Sequence, residues 1–165
     1  MTYCIGSLLE EGLVFLSDSR TNAGVDAIST FRKMTVFERP GDRVLVLLTA
    51  GNLALSQGVV SLLREQIESP EPELTLYGAQ NMYEVARCLG DAVRRVYERD
   101  AASLREHGIE FTVSFVVGGQ IGREAPRLFQ VYAAGNFIEA TRETPYFQIG
   151  ESKYGKPIID RVLRR

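Results

Sequence analysis

The 165-residue sequence predicts an α+β domain in which sheet packs on sheet with helices outside, and the order of its patterns carries that expectation. Four β-rich runs come first, two amphipathic helical patterns follow, and further β-rich runs come after them, without the strand–helix alternation of a doubly wound parallel sheet. Size is the second observation. A chain of 18.4 kDa with 45% hydrophobic and 24% charged residues buries roughly two-thirds of its unfolded surface, enough for a single core, so residues 1–165 are read as one domain.

Residues 2–8 and 13–17 read as two short strands around the turn "EEG", closed by Gly12 as a hairpin. "ISTFRKMTVFE" and "RVLVLLTAG" are β-rich runs separated by "RPGD", a turn signal, and predict a second hairpin. The unbroken "VLVLL" predicts a strand covered on both faces. After Gly51, Asn52 suits a helix cap, and Leu55, Val59, Leu62, Leu63 and Ile67 recur at helical spacing. Met82, Val85, Ala86, Leu89, Ala92, Val93, Val96 and Tyr97 repeat at threes and fours, which predicts a long helix from Ala79 to Arg105 that stops at Gly108. "EFTVSFVVGG" and "RLFQVYAAG" predict strands joined through residues 119–126, and "KYGKPIIDRVLRR" predicts the start of a helix, with Pro157 tolerated in its first turn.

The formal charge of −2, with acidic and basic residues interspersed, provides no field that would gather nucleic acid or anionic lipid. Cys4 and Cys88 are the only cysteines, so no disulfide framework and no CxxC unit exist, and a reducing compartment is expected. Charged residues break every apolar run short of a membrane span, and no leader pattern opens the chain; the expectation is a cytoplasmic protein with no membrane partner.

The chain opens Met-Thr and runs directly into a strand. Removal of Met1 before the small Thr2 would leave a threonine whose own α-amine, with a reference pKa of about 7.7–8.0, is positioned to accept the proton of its hydroxyl. Such a nucleophile needs a cation nearby, an anion to hold that cation, and backbone N–H groups for an oxyanion. Asp18 at the end of the second strand, Lys33 in the third and Gly51 at the junction "TAGN" supply those three classes. Taken singly, Asp18 also suits a turn residue that caps its own backbone, and Lys33 a solvent-facing side chain.

"MTYCIGSLLEEGLVFLSDSRTNAG", "STFRKM" and "LLTAGN" together resemble the start of a proteasome beta-type subunit, most closely the bacterial proteasome-homologous proteins called the ancestral beta subunit, and the resemblance covers essentially the whole chain. It implies a four-layer alpha-beta-beta-alpha sandwich of the N-terminal nucleophile hydrolase type, lacking its C-terminal elements, and a threonine-type peptidase. It also implies Thr2 as nucleophile, Asp18 and Lys33 as its charged support, Gly51 in the oxyanion hole and Ser152 in the catalytic set, with Thr21, Phe31, Thr49 and Leu53 lining the substrate pocket. Lys33 stands one residue nearer the threonine than in the eukaryotic and archaeal subunits, a spacing the bacterial branch tolerates. The carboxylate and second serine that position the amine in this family would lie beyond Arg165. A peptide or unfolded-protein substrate, a homo-oligomer, and no metal or organic cofactor are further implications; an ATPase partner is left undetermined. The rival from another class is a non-catalytic assembly subunit of the same shape.

Other motifs read as structural. Gly150, Gly155 and Lys156 match the spacing of a phosphate-binding loop, but position 157 is proline where a magnesium-holding hydroxyl is required. His107, the single histidine, sits at a helix carboxyl end and has no histidine partner for a zinc site. Cys4 and Cys88 read as small core side chains. Arg94, Arg95, Arg99 and Arg105 are offset by Glu84, Asp91, Glu98 and Asp100, so the long helix is no nucleic-acid stripe.

Overall fold

The computed structural model describes residues 2–22, 28–30, 32–69, 74–151, 153 and 155–163. Ten strands and three helices are formed among them: β1 (Tyr3–Leu9), β2 (Gly12–Ser17), β3 (Arg20–Asn22), β4 (Ile28–Thr30), β5 (Met34–Arg39), β6 (Arg43–Gly51), α1 (Leu53–Glu68), α2 (Met82–Glu106), β7 (Val113–Ile121), β8 (Arg127–Val131), β9 (Phe137–Glu139), β10 (Tyr146–Gly150) and α3 (Gly155–Leu163). Every pairing is antiparallel: β10-β1-β2, β3-β4, and the five-stranded β5-β6-β7-β8-β9. The result is a mixed α+β fold.

Strand alternation decides how the layers stack. Leu45 and Leu47 of β6, Phe115 and Val117 of β7, and Phe129 and Val131 of β8 face α1 and α2, and meet Val59, Leu63, Val85, Leu89 and Val93 in the larger core. The opposite face of the same sheet offers Leu48, Ala50, Val116 and Leu128 to Cys4, Phe147 and Ile149 of the small sheet, which form the second core. Thus β6 is covered on both faces toward its C-terminal end, whereas Val44, the first residue of "VLVLL", is 42% exposed, so the expectation holds for only part of the run.

Both long helices form where the periodicity places them. Asn52 caps α1 by accepting from the Ala54 and Leu55 N–H groups, and Asn81 caps α2 by accepting from Glu84 N–H, three residues later than the expected start at Ala79. Tyr97 departs from the expected buried stripe: it is 45% exposed and rests edge-on against Phe111, ring centroids 5.1 Å apart. Cys4 and Cys88 are buried in the two cores, and His107 closes α2 with Nδ1 2.8 Å from Ser103 O.

The strands hold more departures. The run "ISTFRKMTVFE" does not form one strand but two, β4 and β5, and Lys33 lies between them rather than within a strand. "RLFQVYAAG" stops pairing at Val131, where residues 132–135 turn into β9. β10 has no counterpart in the periodicity reading, yet it pairs with β1 and makes β1 the central strand of its sheet. On the outer face of that sheet the first turn of α3 closes over Tyr3, so tightly that a Cβ at Gly155 would overlap the Tyr3 ring. Tyr146 Oη donates to Asp160 Oδ1 at 2.6 Å and ties the same helix to β10.

Candidate functional site

Asp18 follows β2 directly, and antiparallel pairing of β1 with β2 brings it beside the start of β1. One carboxylate oxygen, Oδ1, accepts from the Tyr3 backbone N–H at 2.9 Å; the other, Oδ2, accepts from Lys33 Nζ at 2.6 Å. Asp18 N–H in turn donates to Tyr3 O at 3.1 Å. A single carboxylate therefore joins the peptide immediately after Thr2 to a lysine ammonium. Lys33 is 4% exposed, and burial of that charge requires the short, charge-assisted contact it makes.

The other side of Thr2 is held by β10. Glu151 N–H donates to Thr2 O, and Gly150 passes the same carbonyl so closely that a Cβ there would overlap it. Gly150 has φ +86°, a region L side chains rarely adopt, so glycine meets both requirements at once. Thr2 thus sits at the end of a central strand with its carbonyl and the following peptide group fixed.

Gly51 ends β6, two residues before α1 begins, with φ +106° and no room for a Cβ against Thr112 O. Asn52 N–H donates to that Thr112 oxygen at 2.8 Å, which locks the strand-to-helix junction. Thr49, one turn of the pleat earlier, links this junction to the lysine: its N–H donates to Lys33 O at 2.9 Å. Cys4 Sγ donates to Thr49 O at 3.7 Å from the other side. Burial pushes the Cys4 thiol up to about 12, with Asp18's charge adding to the shift and Lys33's opposing it. Tyr3's phenol is likewise raised, first by burial and then by Asp160.

The structure thus brings Thr2, Asp18 and Lys33 together, and the Lys33 O–Thr49–Gly51 backbone runs on from them. Thr49 and Leu53 border an open cavity of about 570 Å³ that Arg32, Met34, Val60 and Arg64 also line. Phe31 and Ser152 lie outside the described residues, as does the side chain of Thr21, whose backbone belongs to β3. The sequence reading missed Gly150 and Glu151, because their role depends on pairing across the length of the chain, and it missed Arg32 and Arg64. Among the described residues no group of three or more His, Cys, Asp or Glu gathers as metal ligands, and no helix is long and apolar enough to cross a membrane.

No protein-family model matches the chain, and no curated protein does. Solved structures do. The chain is 55% identical to Anbu (ancestral beta-subunit) from Yersinia bercovieri, with a TM-score of 0.88, over 99% of this chain and 66% of that one. It is 53% identical to an Anbu Gly-1 mutant from Hyphomicrobium sp. strain MC1, with the same TM-score and coverage. It is also 48% identical to the Anbu complex from Pseudomonas aeruginosa, solved as a helical assembly, with a TM-score of 0.88 over 97% of this chain and 65% of that one. The chain therefore spans about two-thirds of the length of these relatives. With half its residues identical and the same backbone over nearly its whole length, the chain belongs to the Anbu family, the ancestral beta-subunits of the bacterial proteasome-like proteins.

Proposed function

We propose that the protein is a threonine-type peptidase, an N-terminal nucleophile hydrolase of the four-layer alpha-beta-beta-alpha kind, acting once removal of Met1 exposes Thr2. The observation that carries this reading is the Asp18 carboxylate shared between the Tyr3 N–H and the buried Lys33 ammonium. A buried cation this close to a strand end lowers the cost of negative charge on a hydroxyl there. In the proposed reaction the Thr2 α-amine takes the hydroxyl proton, the alkoxide adds to a peptide carbonyl, and the Gly51 N–H receives the oxyanion. Collapse expels the amine half of the peptide, which takes the proton from the ammonium, and leaves an ester on Thr2. Water, deprotonated by the same α-amine, then hydrolyses that ester and restores the hydroxyl. Asp18 and Lys33 are positioning and electrostatic groups, and family resemblance assigns Ser152 to the same set and Thr21, Phe31, Thr49 and Leu53 to the substrate pocket. No cofactor enters the scheme. A peptide or unfolded protein is the proposed substrate, and a homo-oligomer the proposed state, supported by the helical assembly of the Pseudomonas aeruginosa relative.

Intact-mass spectrometry before and after a β-lactone tests the reading. Loss of Met1 with one stoichiometric adduct, abolished in Thr2→Ala while assembly persists, is the expected result. Retention of Met1 without an adduct would replace the peptidase by the non-catalytic assembly subunit.

A further inference from the structure

The cavity beside Thr49 and Leu53 has a chemical character of its own. Arg32 and Arg64 stand on its wall, one adjacent in sequence to Lys33 and the other on α1, while Thr35, Gln57 and Ser61 add neutral hydrogen-bonding groups. No acidic residue is among the described residues that line it. Both arginines are exposed, and among the described residues neither guanidinium is engaged in an ion pair. Its apolar lining comes from Met34, Val36, Leu53 and Val60. Two short backbone links tie the lining of this cavity to the candidate site: Thr49 N–H donates to Lys33 O, and Leu53 follows Gly51 by two residues.

We infer that this cavity selects a carboxylate side chain, Glu or Asp, on the acyl side of the bond that Thr2 attacks; the inference rests on the peptidase reading and specifies its substrate class. An unengaged guanidinium presents a planar fork that matches a carboxylate in two parallel hydrogen bonds, and two of them lining one cavity disfavour a lysine or arginine side chain by like charge. The Thr21 and Phe31 that family resemblance assigns to the pocket would favour a modest apolar side chain; the described lining instead carries two cations and no acid. Because both arginines are solvent-exposed, the attraction is screened by salt, which distinguishes it from selection by shape.

Tripeptide vinyl sulfones that differ only in the side chain next to the sulfone (Glu, Gln, Leu or Lys) report on the assembled protein by intact mass. The Glu compound is expected to label Thr2 about tenfold faster than Gln or Leu, and Lys slowest. The advantage should shrink in 0.5 M salt on the order of the Debye screening there, shrink in Arg64→Gln and in Arg32→Gln, and reverse toward Lys in Arg64→Glu. Equal labelling by Glu and Gln, or faster labelling by Leu, overturns the inference and leaves the peptidase reading standing. Absence of any adduct overturns the peptidase reading; the inference is then decided by fluorescence polarisation of labelled tripeptide amides on Thr2→Ala, where tighter binding of the Glu-ended peptide supports it and equal binding overturns it. Circular dichroism confirms that each arginine variant is folded, and the two sites on different segments give independent checks.

Discussion

Asp18 holds two partners with two oxygens, and its replacement separates the consequences. Asp18→Asn retains size and one acceptor but removes the charge beside Lys33 Nζ, which stands 2.6 Å away. The expected loss of stability is about 1–3 kcal/mol, below the range for a fully buried pair because the aspartate side chain is 37% exposed. Urea denaturation measures it, and under the proposed chemistry turnover falls by about 100-fold or more, as for other preorganised electrostatic groups. Cys4 provides a pH signature of the same neighbourhood. Its folded thiol is raised to about 12 from an ordinary value of 9.0, so the neutral thiol is favoured by folding. That contribution is complete below pH 9 and is lost as pH rises through the interval to about 12, because the unfolded thiol ionises first. Tyr3 shifts in the same direction. The urea midpoint is therefore expected to fall as pH rises above 9, less steeply in Cys4→Ala, and iodoacetamide at pH 8 should leave Cys4 unmodified until the protein is unfolded.

Helical glycines of opposite sign test the packing of the elements. A Cβ at Gly58 in α1 would meet the flexible end of Arg99, Nη2 at 3.3 Å, and the Val96 methyls at ordinary contact of 3.8 and 3.9 Å, so Gly58→Ala should stabilise by about 0.5–1 kcal/mol through helix propensity. Gly90 in α2 lies against the Gly135 backbone oxygen in the turn between β8 and β9, where a Cβ would overlap, and Gly90→Ala should lower the melting temperature despite the same propensity gain. Thermal unfolding of the two variants reads the difference directly. Both long helices were legible in the sequence because their periodicity is local, as is the Asn52 cap of α1; the Asn81 cap of α2 was missed, and with it the true start of that helix. β10 was not, since its partners are nonlocal: Tyr3 Oη donates to Gln148 Oε1 across 145 positions, and five residues that follow a proline and end on a glycine carry no sign of which strand they will join. The break of "ISTFRKMTVFE" was illegible for a related reason. Lys33 leaves the β5 register to reach Asp18, so a tertiary ion pair overrides a run of β-formers.

At the scale of the whole molecule, the site's charged members were legible by type and position, whereas the backbone clasp from Gly150 and Glu151 and the cationic wall of the cavity emerged only once strands far apart in sequence were set side by side. Light scattering coupled to size-exclusion chromatography is expected to give a mass severalfold that of one 18.4 kDa chain, with Thr2→Ala unchanged; a monomer at micromolar concentration would remove the proposed homo-oligomer. The position of β1 between β2 and β10 has a consequence for the order in which the protein is made. Threonine 2 leaves the ribosome almost first, and its hairpin partner β2 follows at once. The strand that clasps its carbonyl, and the helix that lies over Tyr3, are translated some 140 residues later. Contacts of such long sequence separation are slow and close late. Under the proposed chemistry a nascent chain consequently carries Thr2 unshaped until β10 has been made, and the fold itself withholds hydrolysis until that strand joins β1.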